Sequence, residues 1–182
     1  MLNRIYTIGH STRTFDELVA LLHEQGVGRL ADIRRFPASR RHPHFSRESL
    51  EHSLRTGRIA CPPRIDYVHF EDLGGRRRPA PDSRNAAWEN EQFRGYADYM
   101  CTDEFRAAVD RLLDSELATA VMCAEAVPWR CHRNLLSDDL LRRGIEVIHI
   151  LGPGSAQPHK LSKMAHIAGD CVIYPPEQSA MF

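Results

Sequence analysis

Short apolar runs that alternate with amphipathic segments constrain the fold of this chain more than any other feature. The runs lie at residues 4–9, 29–33, 65–70, 119–122 and 145–151. Thr14 followed by Glu17 is the capping-box pattern that starts a helix. Strands that alternate with helices form βαβ units whose strands are parallel. The sequence therefore predicts one α/β domain over residues 1–182, with a mainly parallel sheet flanked by helices.

Two loops and the C-terminal region interrupt this alternation. Residues 34–47 contain two prolines and no apolar period, and residues 71–85 are rich in Gly, Pro and Arg, so both segments are predicted to be loops. The segment 89–116 is predicted to form two helices that are separated near residue 102. Beyond residue 151 we expect a turn, a short helix and an edge strand at 171–174.

The length and composition suit a protein with one buried core. A chain of 182 residues, 42% of them hydrophobic, can form a single domain of ordinary size. No apolar run approaches the roughly 20 residues that span a bilayer. The first ten residues also lack the long apolar core of a signal peptide. These features predict a cytoplasmic protein without a membrane partner.

The cysteines form no regular pattern. Five are present, at positions 61, 101, 123, 131 and 171. An odd number at irregular spacing does not match a disulfide framework, and thiols stay reduced in the cytoplasm. The sequence therefore predicts five free thiols.

The charge is zero overall but unevenly distributed along the chain. Residues 1–80 contain 14 arginines against nine acidic residues, whereas residues 81–182 contain 10 basic and 15 acidic residues. This separation, together with a net charge of zero, excludes a generally nucleic-acid-binding protein. We expect nucleic-acid binding to be weak and non-specific at most, and to fall steeply with salt.

The stretch VMCAEAVPWRCHR, residues 121–133, is the strongest candidate for a functional site. It follows an apolar strand and precedes a helical pattern, and α/β proteins usually bind ligands at the carboxyl ends of their strands. Two thiols, a carboxylate, an imidazole and a guanidinium occur within eleven residues. They belong to Cys123, Glu125, Cys131, His132 and Arg133.

Cys131 has two interpretations that the sequence leaves open. A cysteine in the first turn of a helix, next to His132 and Arg133, has a lowered pKa and can serve as a nucleophile or redox thiol. Alternatively, Cys131 is a buried packing residue, with His132 as a helix cap and Arg133 paired with a carboxylate. Adjacent residues on a helix point in different directions, so at most two of the three can face one ligand.

A metal or nucleotide cofactor is not indicated by any motif. The C-x₇-C-H spacing differs from the C-x₂₋₄-C spacing of zinc sites, so we expect no structural zinc and assign no metal ligand. A site assembled across loops from His10, His69, His132 or His159 stays open as an alternative. The Gly-Gly pair at 74–75 belongs to neither a P-loop nor a GxGxxG motif.

Acidic and basic groups at the ends of neighbouring strands suggest an anion site. Asp32 and Glu125 follow apolar runs, and each can act as a base, coordinate a metal or hold an arginine. Arg34 begins the loop 34–47, which contains five Arg and no acidic residue and suits anion binding. We expect Arg34 and Cys131 to border one anion site. The alternative is that Arg34 pairs with Asp32 or Glu125 and only braces the edge of the sheet.

Five motifs taken together resemble one family. They are TIGHS (7–11), ADIRRFPASRR (31–41), YVHFEDLGG (67–75), MCAEAVPWRCHR (122–133) and VIHILGPG (147–154). The set resembles the bacterial DUF488 family, a domain of unknown function, over nearly the whole chain. The resemblance implies a compact α/β domain and no established activity. It covers His10, Ser11, Asp32, Arg34, Pro37, Ser39, Gly74, Gly75, Cys123, Glu125, Cys131, His132 and Arg133, and His159 also fits it.

These patterns favour an enzyme that acts on a phosphorylated or otherwise anionic small molecule, or on a nucleotide. The predicted catalytic residues are His10, Asp32, Glu125, Cys131 and His132. The predicted substrate-binding residues are Ser11, Arg34, Ser39, Gly74, Gly75, Cys123, Arg133 and His159. Two alternatives stay open. The first is a non-catalytic nucleic-acid-binding module, although the basic loops contain only two aromatic residues. The second is a thiol-based redox or sulfur-handling protein, although the chain has no C-x-x-C motif.

Overall fold

The computed structural model describes residues 2–38, 41–56 and 64–176. Its centre is a six-stranded sheet in the order β3-β2-β4-β1-β5-β6, in which the first five strands are parallel and β6 is antiparallel to β5. The prediction of an α/β fold with a mainly parallel sheet is confirmed. The strands are β1 Arg4–Gly9, β2 Arg29–Asp32, β3 Asp66–His69, β4 Thr119–Cys123, β5 Glu146–Gly152 and β6 Ser155–Pro158.

Five α-helices and three short 3₁₀ turns connect the strands. In the first helix the Thr14 hydroxyl accepts a hydrogen bond from the Glu17 N–H, and the Glu17 carboxylate accepts one from the Thr14 N–H, as the capping box predicts. The predicted break near residue 102 is also present, since Thr102 caps a new helix. The helices are α1 Phe15–Glu24, α2 Arg47–Thr56, α3 Glu91–Tyr99, α4 Asp103–Leu113 and α5 Arg133–Arg142; the turns are Pro43–Phe45, Glu71–Leu73 and Pro128–Arg130.

The sheet is buried on both faces, which explains why its central strands are apolar without alternation. All five residues of β4 are buried. Side chains that alternate along β4 pack into two separate cores: Val121 and Cys123 face α3, α4 and α5, whereas Ala120 and Met122 face α1 and α2. The candidate residues at the strand ends are therefore divided between two faces.

The C-terminal region differs from the prediction. No helix occurs in the described part after residue 151; β6 turns back on β5, and a separate antiparallel pair follows, formed by β7 His166–Ala168 and β8 Cys171–Ile173. The predicted edge strand at 171–174 therefore lies outside the main sheet. Gly154 and Gly169 adopt left-handed backbone angles, with φ of 62° and 60°, and permit the two tight turns.

One pair of cysteines contradicts the prediction of five free thiols. Cys101 and Cys171 form a disulfide, with Cα atoms 5.3 Å apart and 70 residues of separation. The fold brings the segment between α3 and α4 against β8, a contact that spacing along the chain does not reveal. Cys123 and Cys131 are free and buried, and Cys61 lies outside the described residues. Within the described ranges, no helix is long and apolar enough to cross a bilayer.

Candidate functional site

The carboxyl ends of three strands meet at one edge of the sheet. Strand β4 lies between β2 and β1, and its register pairs Cys123 with Gly9 and Met122 with Asp32. His10 and Glu125 follow these strand ends directly. The expectation that Asp32, Glu125 and His10 come from the same edge is confirmed by this topology, although their side chains serve different networks.

Cys123, Cys131 and His132 form a buried thiol–imidazole cluster on the α3–α5 side of the sheet. The Nδ1 atom of His132 lies 3.6 Å from the Cys131 Sγ and 3.9 Å from the Cys123 Sγ. All three ligand-type atoms lie within 4.8 Å of one another. The cluster joins a strand end to a segment eight residues further along the chain, as the short 3₁₀ turn at Pro128–Arg130 leads the chain back over the end of β4.

The expectation that Cys131 lies in the first turn of a helix is wrong. Helix α5 begins at Arg133, and Cys131 has an extended backbone with φ −141° and ψ 149°. The side chain of His132 makes no capping hydrogen bond. The change from extended backbone at Cys131 to near-helical backbone at His132 turns these two adjacent side chains toward the same point.

The orientation of the His132 ring is determined by its surroundings. Its Nε2 lies 3.2 Å from the Ile33 carbonyl oxygen, and because a carbonyl only accepts, Nε2 carries a hydrogen while Nδ1 faces the two sulfur atoms. The ring packs edge-on against Tyr96, with centroids 5.0 Å apart. A side chain at Gly75 would place its Cβ 2.9 Å from Nδ1, so glycine leaves room for the ring.

The two thiols have opposite proton affinities. A hydrogen bond from the Cys123 thiol lowers the pKa of Cys131 well below its ordinary value, and His132 and then the Arg133 charge act in the same direction against the effect of burial. The same hydrogen bond, followed by burial, raises the pKa of Cys123 well above its ordinary value. Of the two thiols, Cys131 is therefore the one that loses its proton more readily.

Asp32 and Arg34 form a second group, the strand-end ionic network, on the α1–α2 side. Arg34 donates to both carboxylate oxygens of Asp32, at 2.8 and 2.5 Å, to the Phe45 carbonyl at 2.8 Å and to His10 Nε2 at 3.3 Å. The Tyr67 hydroxyl also donates to Asp32, at 2.7 Å. Four of the five guanidinium N–H groups are thus engaged. This geometry is that of the alternative in which Arg34 pairs with Asp32 and braces the edge of the sheet.

His10 also belongs to this network, and it is therefore not free to act as a general base on a substrate. Burial, reinforced by the Arg34 charge, lowers the pKa of His10 to about 4, so the ring is neutral near pH 7. Its Nδ1 lies 3.0 Å from the Ser11 carbonyl, and its Nε2 accepts from Arg34. Burial, followed by the Asp32 charge, raises the pKa of Tyr67, which keeps its hydroxyl as a donor.

A cleft of about 380 Å³ opens at this edge and reaches the thiol–imidazole cluster. Its walls combine the start of the 34–47 loop, the segment after Gly74, the first turn of α3 and the segment between β4 and α5. Glu125 is the one acidic residue among its described walls, against four arginines. The charged residues are Arg34, Arg35, Arg76, Arg130 and Glu125, and the other lining residues include Phe36, Gly75, Cys123, Cys131 and His132.

Arg133, which was predicted to bind substrate, does not line the cleft. It is buried, and its guanidinium donates to the main-chain carbonyls of Glu125 and Ala126 and to the Thr7 hydroxyl. The suggested pairing with a carboxylate is wrong for the described residues, since Arg133 forms no ion pair there. Arg133 anchors the segment that carries Glu125.

Three other predicted residues, which lie in the described part of the chain, do not line the cleft. Ser11 donates its main-chain N–H to the Ala124 carbonyl. A Cβ at Gly74 would lie 2.8 Å from the Arg35 backbone, so this glycine permits contact between two protein segments and not with a ligand. His159 belongs to a different network, and Ser39 lies outside the described residues.

His159 is part of a buried chain of hydrogen bonds that sequence reasoning missed. Thr7 Oγ1 lies 2.7 Å from His149 Nδ1, and His149 Nε2 lies 2.9 Å from His159 Nδ1. His159 Nε2 contacts Asp138, which also accepts from the Tyr174 hydroxyl at 2.8 Å. Burial lowers the pKa of His149 to about 4. In the sequence, His149 lies within the apolar run 145–151. That position indicates burial, but it does not show which partners the imidazole has.

Two further features of the site were also missed. Gly9 lies so close to the loop after β4 that a Cβ there would come within 1.8 Å of the Glu125 carbonyl oxygen. Its place in the TIGHS motif was the available signal. Arg130 is exposed and lines the cleft, and no sequence pattern singled it out. Arg76 also lines the cleft; it belongs to the Arg-rich loop 71–85, for which the sequence favours neither an anion site nor a solvated charged face.

The family model for the domain of unknown function DUF488 matches residues 14–140. The chain belongs to the DUF488 family. The matched region runs from the cap of α1 into α5 and includes Asp32, Arg34 and the thiol–imidazole cluster, whereas His10 precedes it. No curated protein and no solved structure matches the chain. The family name states no activity.

Proposed function

We propose that this DUF488 protein is an enzyme that acts on a phosphorylated or otherwise anionic small molecule, a nucleotide included. One observation carries the proposal: the cleft at the strand ends has four arginines and a single carboxylate on its described walls, and it extends to two buried thiols and an imidazole. A concave site with converging polar groups and a perturbed pKa is typical of an active site.

The arginines of the cleft differ in their capacity to bind a ligand. Within the described residues, Arg35, Arg76 and Arg130 take part in no ion pair. Each can therefore offer charge-assisted hydrogen bonds to a phosphate or carboxylate. Among the described residues, one N–H of Arg34 has no partner, which limits this arginine to a minor contact with a ligand. This supports Arg35, Arg76 and Arg130 as the main anion-binding groups.

Of the five residues predicted to be catalytic, three line the cleft: Glu125, Cys131 and His132. Asp32 and His10 both accept hydrogen bonds from Arg34. This supports a role in which they hold Arg34 in position and do not react with substrate. Glu125 is exposed in the cleft, and a carboxylate there can transfer a proton to or from a bound substrate. Cys131, whose pKa is lowered, and the His132 imidazole are the candidate reactive groups at its inner end.

Calorimetry with inorganic phosphate and with a nucleoside monophosphate tests the proposal. Arg130→Ala should weaken binding by about 10-fold or more, since a lost charge-assisted hydrogen bond costs about 1.5–3 kcal/mol. Arg55→Ala is the matched control, as Arg55 is an exposed arginine on α2 that does not line this cleft. Absence of binding to wild type at millimolar ligand, or equal losses in both variants, would overturn the proposal.

A second candidate function, thiol-based redox or sulfur handling, is favoured by one observation. Cys123 and Cys131 are both free, and their sulfur atoms lie within 4.8 Å of each other. A disulfide between them would release two protons and pass two electrons to an external oxidant. Mass spectrometry of the alkylated protein after exposure to glutathione disulfide should then reveal a 123–131 crosslink. Two alkylated thiols after such exposure would argue against this function.

A further inference from the structure

The thiol–imidazole cluster has the dimensions of a metal site. Zinc bonds of about 2.3 Å to sulfur and about 2.0–2.1 Å to nitrogen, at tetrahedral angles, separate a sulfur from a nitrogen ligand by about 3.6 Å. The His132 Nδ1 lies 3.6 Å from one Sγ and 3.9 Å from the other. Both nitrogen–sulfur distances are thus close to the spacing that a tetrahedral ion requires, and the two sulfurs lie within 4.8 Å of each other.

The imidazole is prepared to act as a ligand. A metal-bound histidine almost always donates its other ring N–H to a carbonyl or carboxylate, which fixes the tautomer and the ring orientation. His132 has this arrangement, since Nε2 lies 3.2 Å from the Ile33 carbonyl oxygen and Nδ1 faces the sulfurs. Gly75 and Tyr96 hold the ring from two sides. The hydrogen bond to Ile33 and the packing of the ring therefore favour metal coordination by Nδ1, independently of its distances to the sulfurs.

The C-x₇-C-H spacing does not exclude zinc at this cluster. Linear motifs such as C-x₂₋₄-C describe ligands that lie on one knuckle of the chain. Here one ligand comes from the end of β4, and the other two come from the segment that folds back over it. The backbone change between Cys131 and His132 then allows adjacent residues to bind the same ion.

The cluster supplies three ligands and borders the cleft. Catalytic zinc sites keep three protein ligands and an open fourth position for water or substrate, and two Cys with one His is a known set. Cys123, Cys131 and His132 all line the same cleft as the unpaired arginines. We propose that Cys123, Cys131 and His132 bind a zinc ion whose fourth coordination position faces the arginine-lined cleft.

The role of the fourth position rests on the proposed function, whereas metal binding itself does not. An anionic oxygen held by Arg130 or Arg76 can bind the open position, and zinc can polarise that group or activate a water beside it. The site would thus belong to metal-assisted chemistry on an anionic substrate. Glu125, on the same cleft wall, is the group placed to exchange a proton with the bound water or substrate.

Titration of the reduced, chelator-treated full chain with Co²⁺ and Zn²⁺ tests this inference. We expect one ion per chain, with thiolate-to-cobalt charge-transfer absorption and the visible bands of a tetrahedral site. Both signals should disappear in Cys131→Ser and in His132→Ala. Two controls should retain them: His44→Ala, which replaces an exposed histidine, and the Cys101→Ser/Cys171→Ser double variant.

Gly75→Ala provides a variant that retains every ligand. Its new Cβ would lie 2.9 Å from Nδ1 and displace the imidazole. We therefore expect metal affinity to fall by about 10–100-fold, the usual loss when a residue that holds a metal ligand in place is replaced. Circular dichroism identifies variants that fail to fold, and the wild-type titration decides the question without them. Wild type that binds no Co²⁺ or Zn²⁺, or binds it equally after loss of Cys131, overturns the inference.

The metal inference and the proposed function fail separately. If phosphate binding depends on Arg130 but the reduced protein takes up no metal, the metal site is wrong and the anion-binding cleft stands. If a single ion binds through Cys131 and His132 but no anion binds in the cleft, the metal site stands and the proposed substrate class is wrong. A 123–131 disulfide together with no metal uptake by the reduced form would favour the redox function.

Discussion

Replacing Arg34 with methionine tests whether the strand-end ionic network braces the sheet. The variant removes the guanidinium but retains most of the apolar stem. The Asp32 side chain is 0% exposed and that of Arg34 is 7% exposed, so the carboxylate would be left in the interior. Removing one partner of a buried ion pair costs about 3–5 kcal/mol, because the remaining charge stays desolvated. We expect Arg34→Met to lower the free energy of unfolding by that amount.

Urea unfolding followed by circular dichroism measures this free energy. Arg106→Met is the matched control, because the pair that Arg106 forms with Asp103 has side chains 35% and 94% exposed. Exposed pairs contribute about 0–1 kcal/mol, so the control should be nearly neutral. The Asp32→Asn/Arg34→Met double variant should lose less stability than the sum of its single variants, since the two groups are in direct contact.

The opposite result would assign Arg34 to the ligand. A loss below about 1 kcal/mol in Arg34→Met, the range of exposed ion pairs, combined with abolished phosphate binding, would refute the reasoning from burial. Additive losses in the double variant would also refute it, because they would mean that Asp32 and Arg34 do not stabilise each other. The expected pattern is a large loss of stability with at most a small loss of phosphate affinity.

Two further predictions concern stability. His10 and His149 have folded pKa values of about 4 against an ordinary value of 6.5, so the unfolded chain binds protons first as the pH falls. The stability that these neutral rings provide is complete above pH 6.5 and declines as the pH falls toward 4. Urea unfolding at pH 7 and pH 5 should detect this decline, and a His10→Gln/His149→Gln variant with an undiminished decline would contradict it. Reducing the Cys101–Cys171 disulfide, which closes a loop of 70 residues, should cost about 2–4 kcal/mol. Urea unfolding with and without reductant measures this loss, and the Cys101→Ser/Cys171→Ser variant is the control. An equal effect of reductant on the stability of both proteins would contradict the prediction.

The amino-acid sequence by itself determined the order of strands and helices as far as β5, the cap of α1 and the location of reactive residues at strand ends. These features depend on interactions between residues a few positions apart, such as the hydrogen bonds between Thr14 and Glu17. Parallel strands also place their carboxyl ends at one edge, so the sequence predicted that His10, Asp32 and Glu125 come from the same edge. Backbone sterics and side-chain periodicity suffice for such inferences.

The tertiary structure decided which of those residues act together. Side chains alternate across a strand, and only the packed sheet shows that Asp32 and Arg34 belong to one face while Cys123 belongs to the other. The hydrogen bond from His132 to Ile33 joins residues 99 positions apart, and the disulfide joins residues 70 positions apart. Such contacts depend on how strands order and helices pack, which local patterns do not encode. For the same reason, a C-x₇-C-H spacing that matches no zinc motif becomes a compact set of three ligands once β4 and the start of α5 fold together.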